Sequence, residues 1–146
     1  MPTISDYSFP PELYYEPGNH VWARPDGEVV TIGLDTLGVA ALGDLAYIVL
    51  KPVGAEVRHG EAAGTLEAAK MVGDLFTPVS GVITAHNEAV LRDPSLVNRN
   101  PYGAGWLAKI TPADWAYDAA QLVQGVEVEY WAEGEVERYR SQGWIE

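Results

Sequence analysis

Apolar and polar positions alternate over short stretches of the chain, and turn residues interrupt them often. Residues 21–24 and 28–33 alternate on either side of Pro25-Asp26-Gly27, which predicts a hairpin. Asp35 is placed to N-cap a short helix over 36–41, and Gly43 to end it. Residues 45–50 form an apolar run that reads as a buried strand, closed by Lys51-Pro52-Val53-Gly54. Val57, Gly60, Gly64 and Leu66 mark two short strands with a turn at Arg58-His59-Gly60. A second hairpin rises to Glu67-Ala68-Ala69-Lys70 and returns through Asp74-Leu75-Phe76. After a turn at Thr77-Pro78-Val79-Ser80-Gly81, residues 82–86 read as a strand. Residues 93–105 read as a loop rich in Pro, Asn and Gly, and 106–110 as the closing strand.

The period changes near the C-terminus. Thr111 reads as a helix N-cap, with Pro112 at the first helical position and Asp114 in the first turn. Trp115, Ala119, Leu122 and Val123 share one face at helical spacing, and Gly125 ends that helix. A shorter helix is expected over 133–142, before Gly143. Trp131, Val136, Tyr139 and Trp144 are the side chains expected to pin this tail to the rest. Short strands separated by frequent turns predict a mainly β sandwich or small barrel.

A length of 146 residues is enough for one compact domain with a modest core. We expect a core over about 13–125 and a C-terminal helical extension over about 126–146. The 15 glycines and 10 prolines suit a turn-rich β domain better than a helical bundle. Residues 1–15 hold no apolar run, and no later run is long enough to span a bilayer. The expected location is the cytoplasm.

Charge and cysteine narrow the function. Asp plus Glu number 21 against 9 Lys plus Arg, a net charge of −12. Such a surface repels nucleic acid and anionic membranes and attracts basic partners. The chain has no cysteine, so disulfides, cysteine metal sites and thiol nucleophiles are excluded. His20, His59 and His86 are scattered without metal-ligand spacing, and no phosphate loop or serine elbow appears. No catalytic or metal-binding residue stands out, and no catalysis by the chain itself is expected.

The three lysines differ in setting. Lys51 abuts Pro52 at a strand end, and Lys109 lies within a strand. Lys70 alone falls at a hairpin tip, beside Ala68, Ala69 and Gly73. An exposed lysine there is open to a modifying enzyme. Acylation removes its charge, which lowers the cost of entering an apolar site. A lysine with an eight-carbon acyl arm reaches about 10–15 Å.

The stretch Gly64-Thr65-Leu66-Glu67-Ala68-Ala69-Lys70, followed by Asp74-Leu75-Phe76-Thr77-Pro78-Val79-Ser80-Gly81, resembles the lipoyl-lysine hairpin of glycine cleavage system H proteins. His20-Val21-Trp22, Leu42-Gly43-Asp44, Asn87-Glu88, Asp93-Pro94-Ser95-Leu96-Val97-Asn98 and the run from Asn100 to Leu107 extend the likeness over roughly residues 13–122. The resemblance implies a flattened β-barrel sandwich of the lipoyl/biotinyl hybrid type, with short helices and lipoate held covalently on Lys70. It also implies lipoate-attaching enzymes and dihydrolipoyl dehydrogenase as partners, with Glu67, Met71, Val72 and Asp74 as possible docking residues around the arm.

Departures from the family pattern bear on the pathway. The family's usual Glu-Ser-x-Lys-Ala is Glu67-Ala68-Ala69-Lys70-Met71 here, and its His-Glu-Trp is His20-Val21-Trp22. The tail beyond Gly125 is also longer than usual. His20-Val21-Trp22-Ala23-Arg24 and a Lys-x-Val-Gly turn resemble the divergent lipoate-binding proteins of bacterial sulfur oxidation, whose partner is a heterodisulfide-reductase-like complex. The expectation therefore leans to sulfur oxidation, with glycine cleavage and its aminomethyl cargo as the alternative. Glu67-Ala68-Ala69-Lys70-Met71 also resembles the biotin-carrier motif, but Ala69 replaces the methionine before its lysine, and the flanking matches are to H proteins.

Overall fold

The computed structural model describes residues 3–146. Its first part holds strands β1 (Thr3–Ile4), β2 (Tyr7–Ser8), β3 (Tyr14–Tyr15), β4 (Val21–Asp26) and β5 (Val29–Leu34), then helix α1 (Thr36–Leu42). Strands β6 (Leu45–Leu50), β7 (Glu56–Val57), β8 (Ala62–Ala68), β9 (Val72–Phe76) and β10 (Gly81–His86) follow. Helices α2 (Glu88–Arg92) and α3 (Ser95–Arg99), strand β11 (Ala108–Pro112), helix α4 (Trp115–Ala119), strand β12 (Val123–Gln124) and helix α5 (Glu127–Ser141) complete it.

Two antiparallel sheets enclose the main core. The larger has the order β12-β3-β4-β5-β11-β10-β7, and the smaller the order β6-β8-β9. Val21, Ile32, Ile83 and Ile110 of the large sheet meet Ile48, Leu66 and Leu75 of the small one in a single buried cluster. Each such side chain contributes about 1.5–3 kcal/mol through burial. This is the flattened β sandwich that the resemblance implies.

A second cluster forms where α5 packs. Val128, Ala132, Val136 and Tyr139 of this helix bury against Phe9, Tyr15, Trp22 and Leu37. Trp22 lies opposite Gly33 in the β4–β5 register. A β-carbon on Gly33 would sit 2.5 Å from the Trp22 ring, so only glycine leaves room for the indole.

Several elements differ from the sequence expectations. The first hairpin turns at Gly27 and Glu28, with Gly27 at φ +64°, while Pro25 and Asp26 stay in β4. Residues 45–50 do form a strand, but it is buried on one face only, because the small sheet has one packed side and Tyr47 and Val49 point away from it. The supposed loop over 93–105 contains α3, and α2 precedes it with Asn87 as its cap. Thr111 and Pro112 do not start a helix: they pair with Val82 and Gly81 at the end of β11. Asp114 caps instead, its carboxylate accepting from the Tyr117 N–H at 3.1 Å. That helix stops at Ala119, and Val123 turns back to pair with Tyr15.

The tail helix is longer than expected, starting at Glu127 rather than residue 133. The alternation from Val126 to Tyr130 suits a strand, which would put 126, 128 and 130 on one face; here Val128 is buried while Val126 and Tyr130 are exposed, as a helix places them. Val136 and Tyr139 pin the tail as expected, and Trp131 packs against Phe9 and Tyr15. Trp144 is instead half exposed, its ring set against Tyr139 and Arg138, while Ile145 is buried.

Candidate functional site

Lys70 stands at the tip of the β8–β9 hairpin. Glu67 pairs with Val72 at the last regular rung, and the Ala68 N–H donates to the Met71 carbonyl at 3.1 Å across the turn. The tip does not hang free. The Ala69 N–H donates to the Asp44 carbonyl at 2.9 Å, and the Lys70 N–H to the Leu42 carbonyl at 3.0 Å. Both acceptors belong to the segment that ends α1, so the tip is fixed to that helix.

The segment has its own anchors. The Asp35 carboxylate caps α1, accepting from the Gly38 N–H at 2.8 Å. At the other end Gly43 adopts φ +85°, and its N–H donates to the Val39 carbonyl at 2.9 Å. Asn98, on α3, closes the frame. Its amide donates to the Gly43 carbonyl at 2.9 Å, and its oxygen accepts from the Leu45 N–H at 2.9 Å. Asn98 falls within the Asp93–Asn98 match to the family, but the sequence points to no role for it. A contact 55 positions away from Gly43 leaves no local signal.

The Lys70 side chain is exposed and runs over Gly43. Its Nζ donates to the Ala40 carbonyl at 2.9 Å, in the last turn of α1. A cation is favoured against carbonyls at a helix C-terminus. The exposed bond is worth about 0.5–1.5 kcal/mol, so a modifying enzyme can lift the amine away at little cost. Conversion to an amide removes the charge that favours this resting place.

The other lysines lie elsewhere. Lys51 is exposed just beyond β6. Lys109, on β11, places its Nζ 5.1 Å from the centre of the Trp106 ring.

All four expected docking residues surround the tip. Glu67, Val72 and Asp74 are exposed on the outer face of the small sheet, and Met71 is half exposed beside Lys70. A cleft of about 190 Å³ opens next to the tip, with Leu42, Met71, Gly73, Asp74, Asn19 and Tyr139 in its walls. A neighbouring groove of about 300 Å³ shares Met71 and Tyr139 and adds Trp144 from the tail.

The sequence did not reveal the buried charge beneath this cleft. His20 is fully buried, with φ +58°. Its Nδ1 lies 2.7 Å from Asp35 Oδ2 and its Nε2 2.8 Å from Glu135 Oε1. Its ring stacks on Trp131 and meets the Tyr139 edge. Burial alone would lower the His20 pKa, but the Asp35 and Glu135 carboxylates outweigh it and hold it up at about 9. Burial would raise Glu135, but hydrogen bonds from His20 and Arg138 bring it down to about 2. The result is a charged clasp between α1 and α5. His59 and His86 lie apart from it, against Asp118 and the Lys51 carbonyl. Among the described residues no group of three or more His, Cys, Asp or Glu side chains is arranged to hold a metal. No helix among them is long and apolar enough to cross a membrane.

Fold and site together define a small β domain that displays one lysine on a braced hairpin. Residues 13–134 match the model of the glycine cleavage H-protein family. The glycine cleavage system H protein of Synechococcus sp. strain RCC307 is 42% identical over 107 residues, covering 73% of this chain and 82% of that protein. That of Bacteroides thetaiotaomicron is 40% identical over 107 residues, covering 73% and 84%. The crystal structure of a glycine cleavage system H protein from Mycobacterium marinum superposes with a TM-score of 0.74 at 34% identity, covering 86% of this chain and 99% of that one. The chain belongs to the glycine cleavage H-protein family.

Proposed function

We propose that the whole chain is one lipoyl-carrier unit that holds lipoate in amide linkage on Lys70 and serves glycine cleavage. The observation that carries this reading is the setting of Lys70: exposed, at a tip fixed by two backbone hydrogen bonds, within the segment that matches the family. The residues fit the group. Lys70 offers an accessible primary amine, and Leu42 and Met71 line an adjoining cleft where an aliphatic arm can lie. When bound, lipoate supplies a disulfide that can be reduced and can take up a small group.

The chain's own residues hold and present. Leu42 and Asp44 fix the base of the arm through their carbonyls, so the freedom that remains lies in the side chain and its acyl extension. Acid–base groups and the electron sink belong to partner enzymes: a glycine decarboxylase, an aminomethyl-transferring enzyme and dihydrolipoyl dehydrogenase. Glu67, Met71, Val72 and Asp74 are the residues we assign to contact with these partners and with lipoate-attaching enzymes.

On sequence alone, the departures at Val21, Ala68 and Met71 and the long tail point toward sulfur oxidation with a heterodisulfide-reductase-like complex. The relatives found carry the glycine-cleavage name, and they support that alternative better. The test offers the lipoylated chain to a glycine decarboxylase with labelled glycine, beside a conventional H protein. Loading at a comparable rate is expected. No loading would remove glycine cleavage and return the pathway to sulfur transfer.

A further inference from the structure

The small sheet leaves one face without a cover. Its β6–β8–β9 register places Tyr47, Glu67 and Val72 on one rung and Val49, Thr65 and Asp74 on the next. All six are exposed, while Ile48 and Leu66 between them are buried. Tyr47 is 56% exposed, Val49 46% and Val72 68%. β6 is thus apolar on both faces, the pattern of a strand covered on both sides, yet only one side is covered here. Isolated exposed apolar residues need no explanation, but Tyr47 and Val49 are neighbours on one face, and Val72 lies across Glu67 on the same rung, a grouping that marks a contact surface.

We propose that this face, centred on Tyr47 and Val49, docks the enzyme that attaches the acyl group to Lys70, through an apolar patch rimmed by basic side chains. The inference rests on the reading of Lys70 as the modified lysine and extends its surroundings to a strand far away in sequence. Continuity selects the partner. Val72 is two residues from Lys70 and shares a rung with Tyr47, so a protein that reaches the amine passes over this face. The brace on Leu42 and Asp44 extends the β6–β8 pairing to the tip, so the tip and the strand that carries Tyr47 move as one surface. Charge then argues against a second copy of the chain. Glu67 and Asp74 sit among the apolar residues, and two chains of net charge −12 would meet acid to acid. A basic rim complements the same carboxylates and speeds encounter.

The probe is a lipoate–protein ligase supplied with lipoate and ATP, acting on the full chain. The variant Tyr47→Ser with Val49→Ser is compared with Val126→Ser with Tyr130→Ser, which alters still more exposed apolar residues near the start of α5. The sheet variant should raise KM for the carrier about tenfold with kcat within about twofold, since exposed anchors act in binding. The α5 variant should leave both unchanged, and Tyr47→Phe should retain the wild-type KM. Matching thermal unfolding of all variants confirms that the fold is kept. An unchanged KM in the sheet variant, with wild-type Lys70 lipoylated normally, overturns the surface and leaves the carrier reading standing. Wild-type chain that takes no lipoate on Lys70 removes both. A concentration-dependent dimer in sedimentation, abolished by the sheet variant, would assign the face to a second copy and also overturn the proposal.

Discussion

Lys70 lies across Gly43 so closely that a β-carbon on Gly43 would stand 3.0 Å from Lys70 Cγ. Gly43 also sits at φ +85°, where a side chain is strained. Gly43→Ala should therefore cost about 1–3 kcal/mol in denaturant unfolding. It should also speed hydrogen exchange at the Ala69 and Lys70 amides, whose acceptors flank Gly43. Unchanged exchange would mean that the tip is held independently of the helix end.

Asn98 links the same segment to α3. Asn98→Ala leaves the Gly43 carbonyl and the Leu45 N–H without their partner. We expect a loss of about 1–3 kcal/mol, with enhanced exchange at the hairpin tip. Asn98→Asp should restore the bond to Leu45 but not the one to Gly43, giving an intermediate loss.

Legibility followed sequence distance. The β8–β9 hairpin, the α1 cap at Asp35 and the setting of Lys70 were visible because turn residues, caps and alternation are local signals. The brace through Asn98 and the pairing of His20 with Glu135 join residues 53–115 positions apart and leave no periodic trace. Thr111-Pro112 misled because the pair is a good helix start by composition, yet β10 offers hydrogen bonds to β11 there. Strand β6 misled in the opposite way: its run reads as buried on both faces, and the chain covers only one.

The clasp at His20 predicts a pH window. The His20 pKa is raised from 6.5 to about 9, so its stabilisation is complete below 6.5 and fades as pH climbs through about 9. The Glu135 pKa is lowered from 4.5 to about 2, so its stabilisation is complete above 4.5 and fades as pH falls through about 2. Taken together these two groups are fully stabilising between 4.5 and 6.5. Thermal unfolding of the wild type against Glu135→Gln should show the largest difference inside that window and a shrinking one outside it. The imidazole titration followed by NMR should move down in Glu135→Gln; an unmoved titration would exclude the ion pair.

Charge around the arm should govern encounter rates. Reversing both Glu67 and Asp74 to lysine should slow lipoylation, and more strongly at low salt than at high salt. Equal rates in every buffer would make these carboxylates purely structural.

Of the three lysines, Lys70 alone should carry the arm. The direct measurement is peptide mapping by mass spectrometry of the full chain produced in lipoate-supplied cells. A lipoyl mass is expected on the peptide holding Lys70, with none on those holding Lys51 or Lys109, and it should vanish in Lys70→Arg. A lipoyl group on Lys51 or Lys109, or biotin on Lys70, would contradict it.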